Sequence, residues 1–102
     1  MDGTSVLFHY LTLEDLILIH DIVTKGQDDI SRGILSIDAL DTCLKAPHCD
    51  IFGFIPYDDL MKKGAKMAYE IVNLHPFIDG NKRVAFAAVA TLFEMNGLSI
   101  VS

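Results

Sequence analysis

Cysteine is scarce. Cys43 and Cys49 are the two in the chain, too few and too close together for a secreted disulfide framework, so they read as reduced thiols of a cytoplasmic protein. Basic charge is thin as well. Eight Lys and Arg stand against 14 Asp and Glu, a net charge of −6, which argues against a broad nucleic-acid-binding surface. Any phosphate must therefore be held locally. No apolar run approaches the roughly 18 residues of a membrane span, so a membrane protein is not expected. The stretch from Met1 carries Asp2 with neither a basic segment nor a small-residue cleavage site, and it is not read as a signal peptide. Internal repeats, linkers and low-complexity tracts are lacking too. What is present is apolar: 51% of residues are hydrophobic and 22% charged, a balance that excludes a disordered tail. A chain of 102 residues is expected to form one domain over its whole length.

Helical spacing dominates. Thr12 is placed to cap a helix carrying Leu13, Leu16, Ile17, Ile19 and Val23, with Glu14 and Asp15 in the dipole-favoured first turn and an end near Gly26. His20 shares the face of Leu13, Leu16 and Ile17, and reads as a hydrogen-bonded core or boundary histidine rather than a ligand. Residues 27–36 turn polar and suggest a loop or short hairpin of the kind that covers sites. A second helix over about 36–45, with Ile37, Leu40 and Leu44 on one face, stops before Pro47. Residues 46–56 hold His48, Cys49 and Asp50 near Cys43; a tetrahedral metal site lacks its second ligand pair there, and loop residues are the better reading. Asp58 and Asp59 open a third helix to about Leu74, with Leu60, Gly64, Met67, Ala68, Ile71 and Leu74 inward and Lys62, Lys63, Lys66 and Glu70 on its wet side. Residues 84–93 are hydrophobic all round, which predicts a central helix buried by its neighbours and ended by Asn96-Gly97. Four helices without a clear strand make the class all-α.

Between the last two helices lies His75-Pro76-Phe77-Ile78-Asp79-Gly80-Asn81-Lys82-Arg83. Pro76 ends the preceding helix at His75, at that helix's electronegative end. Gly80-Asn81 permits a tight turn, and the next helix begins at about Asn81 or Lys82 with its unpaired N–H groups facing the loop. Adjacent Lys82 and Arg83 at a helix N-terminus oppose the dipole, which favours carboxylates there. A bound phosphate would resolve that conflict. Asp79 is then a hard oxygen ligand suited to Mg²⁺, and His75 a side chain suited to deprotonating an attacking hydroxyl. Taken singly, each pair is ordinary turn chemistry or a solvated face. Their conjunction points to a phosphate site with a base beside it.

At these residues the sequence resembles the Fic/Doc family, whose signature is His-x-Phe-x-Asp/Glu-Gly/Ala-Asn. The resemblance extends to Leu11-Thr12-Leu13-Glu14 with Ile19-His20-Asp21, to the segment from Leu40, and to Leu92-Phe93-Glu94-Met95-Asn96-Gly97. It implies a compact Fic/Doc-type helical bundle with a small flap hairpin or loop, placed at 30–37. Adenylyl-transferring members usually carry Gly at the position of Lys82 and an Arg at that of Phe86, so both residues resemble the Doc, or death-on-curing, toxin branch. That branch implies transfer of the γ-phosphate of ATP, with Mg²⁺, to a Ser or Thr hydroxyl of a protein, a translation factor being the suggested target. Fic-type AMP transfer is the alternative, and a non-catalytic interaction module a further one.

Carried over by resemblance, His75 is the general base and Asp79 the metal ligand. Gly80, Lys82 and Arg83 bind the nucleotide phosphates, Asn81 holds a phosphate or fixes the loop, and Arg83 also takes part in catalysis. Leu35-Ser36 stands where Doc-like sequences often show Arg-Asp. An inhibitory Ser/Thr-x-x-x-Glu-Gly/Asn segment is not found, which implies a separate antitoxin. Doc-like chains usually run further past the central helix, whereas this one stops at Ser102, which implies either a fragment truncated at the C-terminus or an unusually minimal member. The apolar face so left bare is expected to be covered by a second copy or a partner.

Overall fold

The computed structural model describes residues 8–27 and 33–98. Its α-helices are α1 (Leu13–Val23), α2 (Ile37–Lys45), α3 (Leu60–Leu74) and α4 (Asn81–Met95), with a 3-10 turn over Ala46–His48 after α2. Among the described residues there is no strand, only the isolated antiparallel bridges Ile34–Phe77 and Ile51–Phe54. The class is all-α. Residues 28–32, which include the first three positions of the expected flap, lie outside the described residues, as do 1–7 and 99–102.

The helix starts follow from local chemistry. Thr12 Oγ1 accepts from the Asp15 amide at 3.1 Å and Asp15 Oδ2 accepts from the Thr12 amide at 2.9 Å, a reciprocal box that fixes the entry to α1. Ser36 and Asp59 cap α2 and α3 more simply, their side chains accepting from the amides of Ala39 and Lys62. Helix α1 ends at Val23, slightly before the expected Gly26, because Thr24 turns its hydroxyl back onto the His20 carbonyl at 2.7 Å.

Leu16, Leu40, Ile71, Phe77, Val84 and Ala88 are fully buried and form the centre of a core to which all four helices contribute. Helix α3 lies close along α4 at Gly64, where a Cβ would sit 3.3 Å from the Phe93 ring. Three expectations need correction. Helix α4 is not buried all round, since Phe86 is 68% exposed. Leu74 and Ile37 are exposed, and Cys43 fills the inner face of α2 instead. Lys66 is not on a wet face: its ammonium lies 2.6 Å from Glu70 and over the rings of Tyr57 and Tyr69, so the stem is largely covered.

The residues considered for a metal are spent elsewhere. His48 packs edge-on against Tyr10, and Asp50 Oδ1 accepts from the Gly53 amide at 2.7 Å. Burial, with the negative charge of Glu70, pushes the Cys43 thiol up to about 11. The thiol is thus both enclosed and neutral. At about pH 8, iodoacetamide is expected to label native protein at Cys49 and to reach Cys43 only after unfolding, because the thiolate is the reactive form. Mass mapping of the alkylated peptides checks this, and rapid native labelling at Cys43 would contradict the burial.

Candidate active site

The loop between α3 and α4 begins with a strained residue. His75 closes α3 in the left-handed region, at φ 49°, while its amide still donates to the Ile71 carbonyl. That conformation turns the chain away from the helix axis just before Pro76 and leaves the imidazole exposed. Phe77, fully buried, then drives the loop back into the core.

Asn81 holds this excursion together. Its Oδ1 accepts from the Phe77 amide at 3.1 Å, and its Nδ2 donates to the Phe77 carbonyl at 2.8 Å. The two backbone groups fix which end of the amide is which. Nδ2 also lies 3.2 Å from His75 Nδ1, so that ring nitrogen accepts, and the proton of the neutral imidazole is on Nε2. Only 5% exposed, Asn81 is committed to the loop backbone and to His75.

Helix α4 then starts from Gly80 without a side-chain cap and without an acidic residue in its first turn. Gly80 has φ 81°, a conformation that strains any side chain, and a Cβ there would also crowd Thr24 Cγ2 at 3.0 Å. Asp79 accepts from the Gly80 amide through Oδ1 at 2.8 Å. A cleft of about 300 Å³ is lined by His75, Ile78, Asp79, Gly80, Asn81, Lys82 and Arg83. All six residues expected from sequence to form the site therefore face one cavity. Arg83 also donates from Nη1 to the Val23 carbonyl at 3.1 Å, tying the site to the end of α1.

Two further segments grip the loop. Residues 33–36 lie against it: the amides of Leu35 and Ser36 donate to the Pro76 carbonyl at 2.7 and 3.1 Å, and the Ile78 amide donates to the Gly33 carbonyl at 3.0 Å. On the opposite side, His20 stacks on Phe77 with ring centroids 3.8 Å apart and planes 4° from parallel, and its Nε2 is 3.0 Å from the Asp79 carbonyl oxygen. His20 is thus a hydrogen-bonded core histidine, as its helical face suggests. Its contact with the site loop had no local signal, because the partner lies in a distant part of the chain.

The Fic/DOC family model matches residues 10–93, which takes in both the loop and the helices around it. The chain belongs to the Fic/DOC family. Members of this family are generally enzymes that transfer nucleotide-derived groups to proteins. The chain is also 28% identical over 93 residues to a protein named Toxin Doc from Mycolicibacterium smegmatis, covering 91% of this chain and 68% of that relative. No solved structure matches at comparable significance.

Fic/DOC proteins typically use ATP with Mg²⁺, and the donors present fit both. Gly80 keeps the α4 N-terminus open, Lys82 and Arg83 flank it, and Asp79 offers a carboxylate at the cleft. Among the described residues no three His, Cys, Asp or Glu side chains stand together as a metal site. Magnesium held by Asp79 would complete its shell with phosphate oxygens and water, the usual arrangement for this ion. The described residues contain no helix long and apolar enough to cross a membrane.

Proposed function

We propose that this chain is a cytoplasmic toxin-type transferase that moves the γ-phosphate of ATP to a Ser or Thr hydroxyl of a target protein. The observation that carries this reading is Lys82 in the first turn of α4, sharing one cleft with His75, Asp79 and Arg83. Glycine at that position would let a diphosphate approach the backbone. A lysine fills the space and adds a phosphate contact of its own, which favours the nucleotide orientation that brings the γ-phosphate to the histidine. The M. smegmatis relative, named a Doc toxin, supports the same branch.

In the mechanism, His75 Nδ1 supplies the lone pair that takes the hydroxyl proton. In the present arrangement that lone pair accepts from Asn81 at 3.2 Å, a long contact that the incoming hydroxyl replaces. The hydroxyl oxygen bonds to the γ-phosphorus as the bond to the bridging oxygen breaks and ADP leaves. Lys82, the α4 amides and the remaining N–H groups of Arg83 stabilise the charge on the transferring group. Magnesium, when bound at Asp79, supplies further positive charge to the phosphate oxygens. A translation factor is the proposed target. An antitoxin is proposed to silence the protein by covering the cleft, and exposed apolar residues such as Phe86 are proposed to be covered by that partner or by a second copy.

The test is incubation with lysate and ATP labelled separately at the α and γ phosphates. Label arriving on protein from the γ position alone is expected. Transfer from the α position alone would replace this reading with AMP transfer, and no transfer from either, with a fully folded protein, would leave an interaction module.

A further inference from the structure

The mechanism above uses residues from one loop and the first turn of α4. It leaves unused a buried imidazole on α1 that touches that loop at two points. His20 is 2% exposed. Its ring lies flat on Phe77, the residue that anchors the loop, and its Nε2 is 3.0 Å from the backbone carbonyl of Asp79. A carbonyl oxygen can only accept, so Nε2 carries the proton and donates. The His20 backbone is tied into the end of α1 as well, since the Thr24 hydroxyl donates to the His20 carbonyl at 2.7 Å.

We propose that His20 is a positioning residue for the transfer reaction: its stack on Phe77 and its Nε2–H donated to the Asp79 carbonyl set the direction in which the Asp79 carboxylate faces the cleft. This rests on the transferase reading and deepens it. The geometry favours a positioning role over a packing role for one reason. A packing residue at this place needs only a flat apolar ring on Phe77, and phenylalanine would serve. The hydrogen bond fixes a different object, the peptide between Asp79 and Gly80, on which both the carboxylate and the opening amides of α4 depend. The Gly80 amide already donates to Asp79 Oδ1 at 2.8 Å, so this peptide and the carboxylate turn together; Gly80 has no Cβ to restrict that turn, and the His20 bond ties the pair to α1. The neighbouring contact from Arg83 to the Val23 carbonyl fixes the helix end, not this peptide. Groups that orient a metal-binding carboxylate from behind typically matter 10- to 100-fold.

Two variants of the full chain separate the parts. His20→Phe keeps a ring on Phe77 and removes the donor; His20→Gln restores an N–H near the position of Nε2 and gives up the stack. For His20→Phe the γ-phosphate transfer rate is expected to fall about 10- to 100-fold with a melting temperature near that of the parent, and calorimetry should show weaker Mg²⁺-dependent ATP binding. His20→Gln is expected to recover most of that loss despite its missing ring. Equal rates for His20→Phe and the parent would overturn the proposal, and so would a His20→Gln variant that is folded yet as slow as His20→Phe. If the parent transfers no phosphate, the transferase reading fails separately, and the positioning claim is still read from the amide chemical shifts of Gly80 and Asn81. They should move in His20→Phe and return towards the parent in His20→Gln; unchanged shifts would sink it. Should His20→Phe not fold, His20→Gln is compared with the parent alone, and the parent's imidazole nitrogen spectrum must show a protonated Nε2; a bare Nε2 overturns the assignment.

Discussion

His75→Gly is expected to lower transfer by about a hundred- to ten-thousandfold, the range for removing a general base, while the melting temperature stays within a few degrees of the parent. The stability side follows from three small terms. A non-glycine residue at φ 49° carries strain of roughly 1–2 kcal/mol, which glycine relieves. Against this stand the greater freedom of glycine in the unfolded chain, roughly 0.5–1 kcal/mol, and the loss of a part-buried hydrogen bond worth about 0.5–1.5 kcal/mol. The Asn81 amide is not orphaned, because Nδ2 keeps the Phe77 carbonyl. Gain and cost therefore nearly cancel. Transfer assays alongside thermal melts decide the matter. A variant that melts normally and transfers phosphate at the parental rate would remove His75 from the chemistry altogether.

The opposite profile is expected at Phe77, where the loss is structural first. Phe77→Ala opens a cavity at the meeting point of the loop, α1 and α4, and large-to-small changes of an enclosed phenylalanine cost about 3–5 kcal/mol. A domain near 100 residues has only about 5–15 kcal/mol to lose. The melting temperature should fall by more than about 12 °C, and the transfer rate with it, since the ring on which His20 rests is gone. A fall of only a few degrees would mean that the loop is held mainly by Asn81, with Phe77 a passenger. Between them the two variants separate chemistry from support in a segment where the residues stand next but one to each other.

Much of this was legible in the sequence because the cues are local. Thr12, Ser36 and Asp59 start their helices by bonding to amides three residues on, and Pro76 ends α3 at the preceding residue; such contacts are set by spacing alone. The loop residues His75, Asp79, Lys82 and Arg83 were legible for the same reason, being a short run whose chemistry is out of place between two apolar helices. What could not be read was everything that joins distant parts. The bridge between Ile34 and Phe77 has no periodic pattern to announce it. Asn96 read as a helix end, and it also accepts from the His9 amide at 2.7 Å while donating to the His9 carbonyl at 2.8 Å. The exposure of Phe86 was hidden by averaging: a run of apolar residues looks buried on all sides until the neighbours are known to cover only some of them.

The clamp from α1 has a consequence for when the site comes into being. His20 meets Asp79 across 59 positions and Val23 meets Arg83 across 60, whereas the hairpin of α3, loop and α4 is contiguous. Closing a loop of that size costs about 3–4 kcal/mol of chain entropy before any contact returns it. Local helices and their connecting turn can form early, and docking of the first helix against the loop comes late. A partly folded chain can therefore have its helices, and even the Asn81 bonds within the loop, while the peptide after Asp79 has only its own carboxylate, and not yet α1, to hold it. The working geometry is reserved for the finished fold.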